Sequence, residues 1–316
     1  MSIKATLRAR QRRRRILLIS VIAVVVALLV VVYFIAAAGS DPYTKYIGQP
    51  VSQTVLGQVT GVSDSTLNAI GTPTGVSPPA KISGSLLTSG GKPEVLYVGG
   101  EFCPFCAIER WAIIVALSHF GTFSGLQYML SSSTDLNANT PTFTFANVTY
   151  TSSYITFVAV EEYGRAGQSD VRQTLTAAQT SLVSQYDTCS ASATQSTGGI
   201  PFVDIANQYA VNCGAQFELP DQSQYLTSPS QPNIIGMNWT QIASQLNTPG
   251  SPIAQLVDGA ANYLISAICN VDGGQPGSVC NQQYATATLA NVSPAQGTST
   301  ALVAVPARIS DPRWTV

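Results

Sequence analysis

The chain has 316 residues, 45% of them apolar and only 10% charged, a composition that suits one folded domain of about 200–250 residues rather than disorder. Its formal net charge of −1 conceals an asymmetry, because seven of the 15 Lys and Arg precede residue 16 and all 16 Asp and Glu follow it. The remainder, at −8, lacks the basic footprint that nucleic acid requires, so that partner class is excluded.

Lys4, Arg8, Arg10 and the run Arg12 to Arg15 make a basic tail over residues 1–15. Ile16 to Ala38 is then apolar except for Ser20. At about 1.5 Å per residue this run crosses the hydrocarbon core as a helix, and it exceeds the roughly 7–15-residue core of a cleaved signal peptide. "AAAGS" resembles a cleavage site, but an uncleaved anchor over 16–38 is the reading. Positive charge stays inside, which predicts a single-pass protein of the cell membrane with a cytoplasmic N-terminus and its domain on the extracytoplasmic side. The basic run serves as that topology signal, and attraction to anionic lipid is compatible with it.

Residues 39–93 read as a stalk and lead-in. "GTPTGVSPPAKISG" is dense in residues that punctuate structure, and a short helix fits Asp64 to Ile70 with Ser63 as N-cap. A compact strand runs from Glu94 to Val98 and is stopped by two glycines. From Pro104 the period turns helical, with Ile108, Trp111, Ala112, Val115 and Ala116 at three- and four-residue spacing and Gly121 as the C-cap. Leu126 to Ser132 and Tyr154 to Glu162 read as strands, and "PTFTFANVTYTS" between them as a strand or an extended arm. Residues 169–187 lack Gly and Pro and predict a helix capped by Ser169. "GGIPFVDIANQYAV" predicts a strand beginning at Ile200-Pro201, and Trp239 to Leu246 and Ile253 to Ile268 two later helices. The class is α/β, with one domain over 94–285 and a tail over 286–316.

"GGEFCPFCAIERW", Gly99 to Trp111, carries the chemistry. Cys103 falls at the N-cap of the predicted helix, with Pro104 at its first position, where a missing N–H costs nothing. Free N–H groups of the first turn and the helix dipole favour a thiolate there. Cys106, one turn on, is the more buried sulfur. Cys103 is therefore expected to be the accessible, attacking thiol and Cys106 the resolving one. Glu101 opposes a low thiol pKa if it points inward, and no Lys or Arg lies close enough in sequence to predict strong acidity. No metal site is expected: zinc needs a second CxxC or paired histidines, whereas His119 is the single histidine and suits a surface or capping role. No cofactor is expected either. An inert structural disulfide and a copper(I) metallochaperone are the other readings of the pair.

"GGEFCPFCAIERWAIIVALSHFGTFSGL", "YITFVAVEEYG", "GGIPFVDIANQY" and "GGQPGSVC", spread over roughly residues 90–285, resemble the membrane-anchored, thioredoxin-like family catalogued as domain of unknown function 929. The resemblance implies a thioredoxin-like fold with a helical insertion, preceded by one N-terminal transmembrane helix. The 95 residues from Cys106 to Pro201 resemble the DsbA-like layout, with the 169–187 helix in the insertion. It also aligns Cys103 and Cys106 with a redox pair, and Ile200 and Pro201 with a substrate-binding loop whose proline is cis. The other four cysteines suit an oxidising exterior. Of their three connectivities, Cys189–Cys213 and Cys269–Cys280 are preferred.

The expected function is thus an extracytoplasmic, membrane-anchored thiol–disulfide oxidoreductase. Its partners would be exported protein thiols or disulfides and a membrane redox partner. The alternative is a thioredoxin-like binding or surface module with a structural CxxC disulfide.

Overall fold

A computed structural model describes residues 3–38, 41–135, 137–189, 196–197, 199–211, 234 and 236–289. The chain divides after Lys45 into two compact units. The first holds helix α1 (Ile3–Ala38), within which Arg13–Val32 is long and apolar enough to cross a membrane.

The second unit opens with helices α2 (Gln53–Thr60) and α3 (Asp64–Ile70), capped by the Ser52 and Ser63 hydroxyls. Short strands β1 (Ala80–Lys81) and β2 (Thr88–Ser89) precede the long strand β3 (Lys92–Gly100), which feeds helix α4 (Pro104–Ser118). Strands β4 (Gly121–Ser124), β5 (Gln127–Leu130), β6 (Pro141–Thr144) and β7 (Thr149–Ser152) follow, then β8 (Thr156–Tyr163) and helix α5 (Ala177–Tyr186). After the small pair β9 (Thr188–Cys189) and β10 (Ser196–Thr197) come the hairpin strands β11 (Phe202–Ile205) and β12 (Tyr209–Val211). Helices α6 (Trp239–Ala243), α7 (Pro252–Val271), α8 (Gly277–Cys280) and α9 (Gln283–Leu289) close the described chain.

β3 is the centre of the main sheet. β8 pairs with it in parallel on one edge and β11 antiparallel on the other, giving the order β8–β3–β11–β12–β1, while β2 forms a hairpin with the start of β3. Because side chains alternate along a strand, the two faces of β3 bury different partners. Leu96 and Val98 join Val160, Phe202 and Val183 of α5 on one face. Tyr97 faces the other way, against Phe145 at 5.1 Å between ring centroids and under the Arg110 guanidinium of α4. From Cys106 to Leu117 every residue of α4 is buried, so this helix runs through the interior rather than over it.

Several elements differ from the sequence reading. Residues 39–93 are not a stalk throughout: Val55, Val59, Leu67 and Ile70 are buried, and Asn262 of α7 donates to the Leu67 and Gly71 carbonyls at 3.0 and 2.8 Å. Both lie at the C-terminal end of α3, where Leu67 O also accepts the Gly71 N–H at 2.9 Å. The helix expected over 169–187 begins eight residues late, because Thr176 and Gln179 form a reciprocal capping box and Val171 instead bridges to Tyr163 at the end of β8. Gly121 opens β4, and His119 caps α4. One helix, α5, is described between β8 and β11, so the expected helical insertion is ten residues long there. The larger addition is β-rich, residues 121–152 between α4 and β8. It is pinned to α4 by Trp111 Nε1–H donating to Pro141 O (2.9 Å) and by the Thr142 hydroxyl donating to Ala107 O (2.7 Å). The stretch from Phe202 to Val211 forms a hairpin rather than one strand: Ile205 pairs with Tyr209 across three residues, of which Ala206 and Asn207 are at positive φ (54° and 57°), and Gln208 N–H bonds back to Ile205 O at 3.0 Å.

Cys269 and Cys280 form a disulfide joining α7 to α8. The Cys189–Cys213 pairing lies outside the described residues. So does the 286–316 tail, apart from the end of α9.

Candidate functional site

The site is built where β3 ends. The β3 ladder gives way at Gly99-Gly100, and Cys103 N–H closes a turn on Gly100 O at 3.2 Å. Cys103 has extended dihedrals (φ −77°, ψ 124°) and occupies the N-cap of α4, followed by Pro104 at the first helical position. Its Sγ accepts the Cys106 backbone N–H at 3.4 Å. On the other side it lies 3.6 Å from the Ile200 carbonyl oxygen, toward which the thiol S–H is directed. The Ile200–Pro201 peptide bond is cis, and Pro201 leads directly into β11, the antiparallel neighbour of β3. Cys103, Cys106, Ile200 and Pro201 thus come together in space. Cys103 and Cys106 are free thiols in this structure.

Cys103 is more enclosed than its helix-start position suggests. It is 6% exposed against 0% for Cys106, since Phe102, Tyr163 and Ile200 pack around the pair. The exposed group in the motif is Phe105, at 38%.

The two thiols sit in unequal fields. Burial pushes Cys103 up, but the Cys106 thiol, the N–H groups of Cys106 and Phe105 and the charge of Arg110 outweigh it, leaving Cys103 below the ordinary thiol range. Burial pushes Cys106 well above that range. The hydrogen bond and charge it shares with Cys103 add to this, and Arg110 and the Gly100 backbone only partly offset it. A thiolate therefore forms first at Cys103.

Arg110 is the residue that sequence reading passes over. It is fully buried, and its Nε and Nη2 donate to Glu161 Oε1 and Oε2 at 2.9 and 2.7 Å, while Nη2 also donates to Gly100 O at 2.9 Å. Glu161 of β8 accepts a further bond from Phe145 N–H at 3.1 Å. Burial opposes the Arg110 charge, but Glu161 overcomes it and holds the guanidinium protonated. The signal was present: Arg110 lies four residues after Cys106, on the same helix face, within a run whose other charged residue is the neighbouring Glu109. Glu101 does point inward, where it accepts the Thr144 hydroxyl at 2.6 Å, and burial raises its carboxyl above the usual range. His119 sits at the far end of α4, 3.6 Å from Asp64, and burial lowers it below the ordinary imidazole value. No three His, Cys, Asp or Glu side chains cluster as metal ligands among the described residues.

The family pattern described as Domain of unknown function (DUF929) matches residues 78–270. The chain belongs to that family. The DUF929 match takes in β3, α4 and the whole Cys103–Pro201 site, and leaves α1 outside it. No curated protein and no solved structure matches the chain.

Proposed function

We propose that this protein is an extracytoplasmic, membrane-anchored thiol–disulfide oxidoreductase acting on protein cysteines. One observation carries the reading: Cys103 caps α4, has the lower pKa of the pair, and faces the carbonyl that precedes a cis-proline. The strand order supports a thioredoxin-like reading of the fold. The CxxC follows the central strand, a parallel strand flanks it, and Pro201 opens the adjacent antiparallel hairpin.

In the reductive direction Cys103 thiolate attacks a substrate disulfide, forming a mixed disulfide and expelling one substrate thiolate. That thiolate takes up the proton of Cys106. Cys106 then attacks Cys103, the Cys103–substrate bond breaks, and the second substrate sulfur leaves with a proton from water. The substrate disulfide gains two electrons and the Cys103–Cys106 pair loses them; oxidation of substrate dithiols runs the same steps backwards. A membrane partner of the dithiol or quinone class resets the pair. The basic residues at the N-terminal end of α1, Lys4 to Arg15, favour a cytoplasmic N-terminus, with the remainder, of net charge −8, on the other side.

The enclosure of Cys103 favours a second reading, a binding module whose CxxC forms a structural disulfide. Cys106→Ser separates the two. With the resolving thiol gone, mixed disulfides at Cys103 persist, so non-reducing gels of membranes should show reductant-sensitive, high-mass adducts that Cys103→Ser lacks. Their absence from Cys106→Ser membranes selects the binding module.

A further inference from the structure

Two buried donor groups, on Arg110 and Tyr97, lie near Cys106. Arg110 is one helical turn beyond Cys106 on the same face of α4, and its fork to Glu161 and Gly100 engages Nε and Nη2 but leaves Nη1 buried with no hydrogen-bond partner. Tyr97 rises from β3 beneath it, with the guanidinium carbon 5.6 Å from the ring centroid. The Tyr97 hydroxyl is also buried without a hydrogen bond of normal geometry. It reaches over Gly99, where a Cβ would lie 2.1 Å from the phenol oxygen, so a glycine is required beside it. Its neighbour, in charge and in hydrogen bonding, is the Cys106 side chain. A fully buried donor left unpaired costs about 1–3 kcal/mol. The Arg110 charge already favours a thiolate at Cys106, and an anionic sulfur is a stronger acceptor for the Tyr97 hydroxyl than the neutral thiol.

We propose that Tyr97 and Arg110 form a preorganised donor pair that stabilises the Cys106 thiolate as it resolves a mixed disulfide, an inference that rests on the redox reading above. Cys106 is 0% exposed, so its thiolate cannot be solvated by water. Arg110 supplies fixed positive charge and Tyr97 a hydrogen bond, and both keep their own protons. The Cys106 proton goes to the substrate thiolate released in the first step. The sulfur's electron pair then forms the bond to Cys103, and the substrate sulfur departs with the pair from the broken bond. Donors already held beside the developing charge need little reorganisation when it appears. Tyr97 and Arg110 are positioning residues, since neither exchanges a sulfur or a proton with substrate.

The test uses the full chain in detergent, reduced and then mixed with a nitrothiobenzoate disulfide. Attack by Cys103 releases the first coloured thiolate and resolution by Cys106 the second. Tyr97→Phe, which removes only the hydroxyl, should leave the first release unchanged. It should slow the second by about tenfold or more and move its pH midpoint upward. Arg110→Lys should recover part of the loss seen in Arg110→Met, because it retains the charge and not the fork. A second release in Tyr97→Phe with wild-type rate and pH profile overturns the inference and leaves the redox reading intact. If the wild type releases no second equivalent, the redox reading fails. The inference is then decided by alkylation of Cys106 across pH in the Cys103→Ser background, followed at the Cys106 peptide. A Tyr97→Phe midpoint no higher than that of the unsubstituted background overturns it.

Discussion

The Arg110–Glu161 pair offers the sharpest test of how this site is held. Arg110→Met removes three hydrogen bonds at 2.9, 2.7 and 2.9 Å and leaves Glu161 fully buried with the Phe145 N–H, at 3.1 Å. The methionine fills most of the stem volume, so the loss is electrostatic rather than a cavity. Breaking one side of a buried ion pair costs about 3–5 kcal/mol, chiefly because the surviving charge has no counterion. For a folded unit of this size each kcal/mol shifts Tm by about 2–4 °C, which sets the expected drop at roughly 6–20 °C. Glu161→Gln in the same chain removes the stranded charge while keeping an acceptor for Phe145. The double variant should regain at least half of the loss, a coupling that additivity forbids. Thermal unfolding of the full chain in detergent, followed by circular dichroism, reads both. A drop of less than about 2 °C for Arg110→Met, or a double variant no better than the sum of the singles, would refute the account of a desolvated, mutually dependent pair.

Two further outcomes are expected. Asp204 is raised to about 6 by burial and by Glu94, against the Asn207 N–H that bonds it at 2.7 Å. The native state thus binds this proton more tightly than the unfolded chain. The associated stability is present below about pH 4 and lost as pH rises through 6, so Asp204→Asn should gain roughly 2–3 kcal/mol on the wild type between those limits in denaturant titrations. Replacing both Cys269 and Cys280 with Ala opens a loop of sequence separation 11 and should cost about 2–3 kcal/mol by the same measurement, with the thiol chemistry of Cys103 unchanged.

Legibility in the sequence followed the range of the interactions. Asp64–Ile70 with its Ser63 cap, and α4 with Cys103 at its N-cap, are set by hydrogen bonds within three residues, and both could be read from spacing alone. The helix over 169–187 failed because absence of Gly and Pro permits a helix without requiring one. The Thr176–Gln179 box and the pairing of Val171 with Tyr163 decide where it starts. The placement of residues 53–70 against the body depends on Asn262, nearly two hundred residues away, and no local pattern encodes that. The same holds within the site. The cysteine pair is a local motif, whereas Tyr97, Arg110 and Glu161 come from β3, α4 and β8 and meet only because β3 and β8 run parallel with Gly99 beside Glu161. Arg110 alone left a trace, a charge at helical spacing from Cys106 in a run that burial makes costly for any ion.

The two cysteine pairs of known state differ in what surrounds the sulfur. Cys269 and Cys280 are bonded across a Gly- and Pro-rich loop, and the bond joins two helices that are already packed. Cys103 and Cys106 lie in the interior beside the guanidinium of Arg110, whose charge favours the thiolate at both sulfurs. Backbone N–H groups favour Cys103 further, and the shared interaction with Cys103 disfavours Cys106. An inert bridge needs no stabilised thiolate at either end. A pair that exchanges electrons needs one sulfur that ionises readily and a second whose ionisation can be supported at the right moment. The first is supplied by the start of α4, and under the proposed chemistry the second falls to the buried donors behind it. A site of this kind keeps its resolving thiol neutral at rest and lets it attack only once Cys103 has been converted to a disulfide, when the proton and charge on that sulfur no longer oppose ionisation of Cys106.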